Sequence, residues 1–151
     1  MKLTLQETLE EHRRMWTWIG DYLEVYDAFT VEHVKKLYFN SFYYSGSKKI
    51  PRAHCWACEY SLMDCDNCVF IWDAPEKEKE KRFIKCVGCD NSPCKELIMR
   101  FSQLNPSERK ELCYKIANLP IRISVYEEAV KNGEIDENLI AKNSYSIIET
   151  N

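Results

Sequence analysis

The sequence predicts a mostly α (α+β) fold, a helical domain built around a cysteine-knuckle centre with a small β-hairpin. Three observations carry this reading: capped amphipathic segments at both ends of the chain, seven of eight cysteines gathered between Cys55 and Cys94, and two short β-prone runs within that stretch. With 151 residues, 45% hydrophobic and 30% charged, the chain fits one globular domain. It is expected to comprise an N-terminal helical hairpin (1–40), a cysteine-rich metal-binding centre (53–94) and C-terminal helices (95–151). No apolar run approaches the ~18 residues of a membrane span, and the N-terminus turns acidic with no apolar leader, so a cytoplasmic protein without membrane contact is expected.

Taken in order, Thr4-Leu5-Gln6-Glu7 is a capping box, whose hydroxyl and carboxylate satisfy amide donors that a first helical turn leaves unpaired. Leu5, Leu9, His12, Trp16, Ile19, Leu23 and Tyr26 then recur at spacings of 3 and 4, one stripe of a long helix, with Arg13, Arg14, Asp21 and Glu24 on the solvated side. Gly20 weakens this helix without breaking it. Thr30 caps a second helix through Val31, Val34, Leu37 and Tyr38, ending near Asn40 and antiparallel to the first. Residues 41–52 read as a loop, and Val69–Trp72 and Phe83–Val87 as the two strands of the hairpin. The run Glu76–Arg82 mixes signs too evenly for a nucleic-acid patch.

Further on, Ser92-Pro93 opens a helix carrying Leu97, Ile98, Phe101 and Leu104. Asn105-Pro106-Ser107-Glu108 opens the next, which buries Leu112, Cys113, Ile116 and Leu119 before Pro120. Ile121–Val125 alternates like a strand, yet Ser124–Glu127 is a capping box, so a short strand feeding a helix to Asn132, with Gly133 past its end, is expected. From Asp136 the tail adds one helical turn and frays.

The spacing Cys55-x2-Cys58-x6-Cys65-x2-Cys68 is the most specific motif, because each two-residue gap lets a knuckle present two thiolates to one tetrahedral ion. Cys86-x2-Cys89-x4-Cys94 supplies three more thiols, with Cys113 or His54 as the further ligand of a second site, and His12 or His33 able to swing in. Cys113 also reads as a plain core cysteine, and His12 as a hydrogen-bonded core histidine. The pairs could instead interleave, Cys55/Cys58 with Cys86/Cys89 on one ion and Cys65, Cys68 and Cys94 on another. Zinc, one or two ions, is the expected metal of this zinc-knuckle centre; an iron–sulfur cluster accepts the same ligands. A redox CxxC needs a helix N-terminus, and Cys94 alone is expected near one.

Hydrolase, metalloprotease and phosphate-loop motifs are absent from the sequence, and surplus thiols close the expected sites, so the chain is read as non-catalytic. Net charge is −3, and only residues 41–110 are basic, with 12 basic against 10 acidic side chains. The aromatic residues Tyr43, Tyr44 and Trp56, with Lys48, Lys49 and Arg52, are the candidate partner-binding residues, facing a protein or stacking bases in a nucleic-acid-binding zinc module. The alternative for these rings is packing around the metal.

The stretch Thr8-Leu9-Glu10-Glu11-His12-Arg13-Arg14-Met15-Trp16-Thr17-Trp18-Ile19, with His54-Cys55-Trp56-Ala57-Cys58-Glu59-Tyr60 and Cys65-x2-Cys68-x3-Trp72, resembles a family of small cysteine-rich proteins encoded by bacteriophages and prophages of low-GC Gram-positive bacteria. The resemblance covers about the first 95 residues. It implies a phage gene acting in a host cytoplasm, settles no activity and carries no catalytic residue across; the compact, aromatic-rich scaffold with no catalytic constellation leads to the expectation of an accessory protein that binds a host or host-defence protein. The resemblance further implies that the tryptophan-bearing helix and the knuckles form one unit, with His12 and Trp16 packing near the metal.

Overall fold

A computed structural model describes residues 3–43, 50–51, 54–64, 67–72 and 92–148. Seven α-helices and two short strands occur among them: α1 (Leu5–Val25), α2 (Val31–Phe42), α3 (Trp56–Ser61), α4 (Pro93–Met99), α5 (Pro106–Ala117), β1 (Ile121–Arg122), α6 (Ile123–Lys131), α7 (Glu137–Lys142) and β2 (Ile147–Ile148). The fold is therefore mostly helical with a small sheet. Among the described residues, no helix is long and apolar enough to cross a membrane.

Helix α1 starts where its capping box places it, with Thr4 Oγ1 accepting from the Glu7 amide and the Glu7 carboxylate accepting from the Thr4 amide. The two amides that this box leaves over are taken by Glu134, far along the chain. Its Oε1 accepts from the Leu5 amide at 3.1 Å and its carbonyl from the Gln6 amide at 3.1 Å. The first turn of α1 thus leaves no backbone donor unpaired, a condition a buried helix end has to meet. Leu5, Leu9, His12, Trp16, Ile19 and Leu23 are buried as their spacing requires, joined by Met15. Tyr26 falls off the stripe because the helix ends at Val25 and the next residue is extended, so the helical period no longer applies.

Two helices flank α1. The early residues of α1 meet the end of α5, His12 Nε2–H donating to the Ile116 carbonyl at 2.7 Å, and its late residues meet the start of α5, Lys110 pairing with Glu24 at 3.0 Å; the two run antiparallel. Gly20 lies at the crossing, where a Cβ would stand 3.0 Å from the Tyr114 ring and 3.1 Å from the Cys113 Cβ. Helix α2, capped by Thr30 and running two residues past Asn40, returns along the other side, Arg14 of α1 donating to the Tyr38 hydroxyl at 3.0 Å. Arg109 of α5 ties the ends together. Its guanidinium donates twice to the Phe101 carbonyl, lies 3.8 Å over the Phe101 ring and reaches Asp27 in the α1–α2 connection at 3.1 Å.

Helices α4 and α5 begin at their anticipated caps, Ser92 with Pro93 and Asn105 with Pro106, the latter a complete capping box. Leu97, Phe101 and Leu104 enter the core while Ile98 faces solvent. The capping box anticipated at Ser124 does not form. Helix α6 starts at Ile123, directly off β1, because the Arg122 amide is already committed to the Val69 carbonyl at 2.8 Å and the chain turns helical at the next residue. Its far end closes as anticipated, with Gly133 left-handed at φ 69, its amide bonded to Val130 and that of Glu134 to Ala129.

The Val69–Trp72 run does take extended pairing. Phe70 bridges Ile121 antiparallel, the Ile71 amide donates to Pro120, and β1 in turn pairs in parallel with β2. The anticipated partner Phe83–Val87 and the charged run 76–82 lie outside the described residues. The tail does more than fray. Beyond α7, the Ser146 carbonyl accepts from the Ile121 amide at 2.7 Å and Tyr145 donates to the Leu9 carbonyl beneath Arg13, which pins the end of the chain to both sheet and α1.

The close crossing at Gly20 gives a test. Gly20→Leu should destabilise the protein by about 3 kcal/mol in urea unfolding, because Cys113 Cβ is too near its backbone to yield. In Gly20→Ala the gain in helix propensity, up to ~1 kcal/mol, should offset part of the crowding. Unchanged stability in the leucine variant would mean that α1 and α5 do not approach this closely.

Candidate functional site

The sequence motif begins at Cys55, which forms the N-cap of α3, a position usually held by Ser, Thr, Asp or Asn. Its side chain makes no capping hydrogen bond to the first turn of the helix. The Cys58 thiol beside it, with Lys35 and the amides of the turn nearby, outweighs burial and pushes the Cys55 thiol down to about 6. Cys68 is buried and pushed the other way, up to about 11, by desolvation, with the charge on Cys55 adding to the rise. Its sulfur nonetheless accepts the Phe70 amide and Trp72 Nε1–H, the latter at 3.4 Å.

Among the described residues, no three or more His, Cys, Asp or Glu side chains are gathered closely enough to hold an ion. What the structure brings together is the Cys55–Cys58 pair, with Cys68 within electrostatic reach of Cys55. Cys65, Cys86 and Cys89 lie outside the described residues. Cys94 sits buried in the first turn of α4, its amide donating to Ser92 Oγ at 3.2 Å. The expectation that Cys94 alone stands at a helix start needs correcting, since Cys55 does too. No conventional cap residue precedes α3, so the sequence carried no signal for it.

Of the candidates for a further ligand, Cys113 is fully buried on α5 against α1, and burial pushes its thiol up to about 12, the behaviour of a core cysteine. His54, left-handed at φ 52, stacks on Phe39 at 5.2 Å and turns Nδ1 towards Glu32 at 3.8 Å. His33 is exposed on the first turn of α2. His12 is buried between α1 and α5, its ring 4.1 Å from that of Phe70. With Nε2 bonded to Ile116, Nδ1 has no partner, and burial lowers its pKa to about 3, so the ring is neutral.

The candidate partner surface also changes. Tyr43 and Trp56, offered as contact residues, are both buried, with 3% of their surface exposed. Tyr43 packs 5.7 Å from the Trp56 ring, and its hydroxyl donates to Glu11. They lie inside because α2 runs on to Phe42 and carries Tyr43 in against α1 and α3. Tyr44, Lys48, Lys49 and Arg52 lie outside the described residues.

An aromatic surface exists elsewhere. Trp18 and Tyr22 on α1, both half-buried, and Tyr26 at its C-cap stand beside the buried stripe with ring centroids 5.3 and 4.9 Å apart. Phe42 of α2 extends the strip, its ring edge-on to Trp18 at 5.9 Å. At the other end Val25, Tyr26 and Phe29 project into solvent, Tyr26 59% exposed and Phe29 94%. The repeat at 18, 22 and 26 was the signal available in the sequence. The 3–4 spacing that predicts Tyr26 in the core stripe fails there, because Tyr26 is 59% exposed. No protein-family model, characterised protein or solved structure matches the chain.

His12 predicts an acid-sensitive core. The folded pKa lies below the usual 6.5, so between about 6.5 and 3 the unfolded chain binds the extra proton more readily, and stability is lost as pH falls through that window. Lowering pH from about 7.5 to 5.5 should cost the wild type about 1.4 kcal/mol more than His12→Gln, in which an amide N–H can still reach the Ile116 carbonyl. Parallel pH dependence of the two proteins in urea unfolding would show that His12 is protonated in the folded state.

Proposed function

We propose that this chain is a zinc-stabilised, non-catalytic accessory protein of a bacteriophage, acting in the host cytoplasm by binding a host or host-defence protein through the strip of Trp18, Tyr22, Tyr26, Phe29 and Phe42. The observation that carries the binding reading is Phe29, a phenyl ring left 94% exposed three residues beyond Tyr26, where the ring contacts from Trp18 through Tyr22 end. Tyrosine, tryptophan and phenylalanine concentrate where proteins bury surface on one another, and a row of them facing water costs solubility unless it is covered in use. The phage setting rests on the sequence resemblance of the first 95 or so residues.

For the metal, Cys55, Cys58, Cys65 and Cys68 would close one tetrahedral zinc, and Cys86, Cys89 and Cys94 would supply most of a second site. The lowered pKa of Cys55 supports thiolate at that position, while burial keeps the Cys68 thiol protonated until an ion replaces the proton. Such an ion contributes folding free energy of order ~10 kcal/mol and leaves no open coordination position for catalysis. The nucleic-acid alternative relies on Lys48, Lys49 and Arg52. The described basic side chains give it little support, because Arg109 and Lys110 are bonded to carboxylates, Arg13 and Arg14 to carbonyl and phenolic oxygens, and Arg122 to the Cys68 carbonyl.

Native mass spectrometry of protein purified without added metal should find two zinc ions per chain in a colourless solution, and chelation should lower the melting temperature. One zinc would return the Cys86 group to free thiols. No metal, with a reversible Cys55–Cys58 disulfide, would replace the reading with redox chemistry, and absorbance near ~400 nm with an iron–sulfur protein.

The binding half of the proposal is tested by immobilising the chain and passing host lysate over it at physiological salt. A stoichiometric protein should be retained by the wild type and lost from the Tyr26→Ser/Phe29→Ser double variant. Equal retention by both, or retention of nucleic acid that disappears as salt is raised, would overturn it.

A further inference from the structure

We propose that Asn132 is a site of spontaneous modification: its carboxamide is lost to water through a cyclic imide with Gly133, and the isoaspartyl product unfastens Glu134 from α1 and α3. Asn132 and Gly133 form the one Asn-Gly step in the sequence. They stand just past α6, Asn132 as its C-cap and Gly133 left-handed at φ 69. Glycine is required there, since a side chain would be strained at that φ. Asparagine is not, because its side chain makes no hydrogen bond among the described residues, and both residues are exposed.

Ring closure needs a carboxamide that can turn, an open approach to it, and a backbone nitrogen that can give up its proton. A Cβ built on Gly133 would meet nothing within 4 Å, so no other part of the chain crowds that nitrogen. Its N–H is held by one bond, to the Val130 carbonyl at 3.2 Å, at a helix end, where such bonds open most readily. Once deprotonated, the nitrogen attacks Asn132 Cγ. The new N–C bond closes a five-membered ring, the Cγ–Nδ2 bond breaks, and ammonia leaves with a proton taken from water. Water then opens the ring at either carbonyl to give aspartate or isoaspartate. One water is taken up for one ammonia released, and nothing is oxidised or reduced.

Other asparagines are worse placed. Asn105 precedes Pro106, whose nitrogen carries no proton, and the carboxamides of Asn67 and Asn118 are bonded to Asp64 at 2.7 Å and to Tyr114 at 2.8 Å. Asn40 and Asn138 lie inside α2 and α7, and after Asn143 the nitrogen belongs to Ser144, whose side chain crowds it. Glu134, directly after Gly133, is the fastening point of three segments. Its Oε1 accepts from the Leu5 amide at 3.1 Å and the Tyr60 hydroxyl at 2.9 Å, its carbonyl from the Gln6 amide at 3.1 Å, and its own amide donates to Ala129 at 2.9 Å. Isoaspartate adds one atom to the backbone just before it, and the new carboxylate falls beside the negative end of α6. The paired bonds to Val130 and Ala129 cannot both span the longer chain. Glu134 is thereby displaced from the start of α1 and from α3, the helix that carries Cys58.

The test incubates the full chain at about 37 °C and about pH 8.5, locates asparagine loss by peptide mass mapping, and tells isoaspartate from aspartate by electron-transfer fragmentation. Asn132 should gain about 1 Da at least tenfold faster than Asn40 or Asn143, and faster than it does at about pH 7, with isoaspartate the main product. Asn132→Gln should abolish the change. In the isoaspartyl protein the Leu5 and Gln6 amides should exchange with deuterium about fivefold or more faster than in the unmodified chain. Freshly prepared Asn132→Asp carries the charge without the extra backbone atom and should leave those amides close to wild type.

Loss of ammonia at Asn132 in urea but not in the folded protein would show that the Val130 bond shields the site and would overturn the proposal. So would modification spread evenly over Asn40, Asn132 and Asn143, or unchanged exchange of the Leu5 and Gln6 amides in the isoaspartyl protein. Equal loosening in Asn132→Asp would refute it too, by assigning the effect to charge alone.

Discussion

The packing of α1 against α5 is the constraint on which the rest of the molecule depends. Helix α1 buries apolar side chains along almost its whole length, each contributing about 1.5–3 kcal/mol when removed from water, and one helix cannot bury that stripe alone. Helix α5 covers it only because Gly20 lets the two backbones approach and because His12 can meet the Ile116 carbonyl in a place water does not reach. Everything else is arranged around that pair. Helix α2 closes the second side, the tail returns to the first turns of α1 through Tyr145, and Glu134 completes the cap at its start.

That arrangement leaves an unusual amount of polar chemistry inside. His12 is neutral with Nδ1 unpartnered, the Trp56 indole N–H has no acceptor, and Lys35 is buried with its ammonium 5.1 Å from the Trp16 ring and 3.7 Å from Glu32. Lys35 is felt at His12, Cys55 and Cys113 alike, opposing a proton on the first and favouring thiolate on the other two. A buried ammonium costs least where a negative charge is close. For Lys35 that charge is Glu32, and the same ammonium helps to lower the Cys55 thiol.

Helix starts were the most legible part of the sequence, because a cap is a local bargain between one side chain and the next three amides: Thr4, Thr30, Ser92 and Asn105 all act where they stand. The failures share a cause, which is that long-range contacts decided. Ser124 could have capped a helix, but the ladder to Val69 had already set where α6 begins. Ile147 and Ile148 form a strand only because Ile121 lies beside them. Cys55 stands at a helix start with no capping side-chain bond, and Glu134 caps a helix that begins 129 residues earlier. At the site, the spacing of the cysteines anticipated that Cys55 and Cys58 lie together, whereas Tyr43 and Trp56 prove to be buried. Composition alone does not say which rings of an aromatic-rich chain face inwards.

The knuckle and the aromatic strip are not independent. Trp56, between Cys55 and Cys58 in sequence, packs against Phe39 at 6.0 Å and Tyr43 at 5.7 Å on the last turns of α2. Those rings contact Tyr38, which lies 4.9 Å from Phe42 and 5.5 Å from Trp18, the first residues of the exposed strip. An unbroken run of ring contacts thus leads from the cysteine pair to the surface. Helix α3, with only six residues, is far too short to hold its shape by backbone hydrogen bonds alone, so whatever fixes Cys55 and Cys58 also fixes Trp56, and through it the end of α2. Through that run of rings, the placing of Trp56 bears on how Phe42 meets Trp18 where α1 and α2 pack.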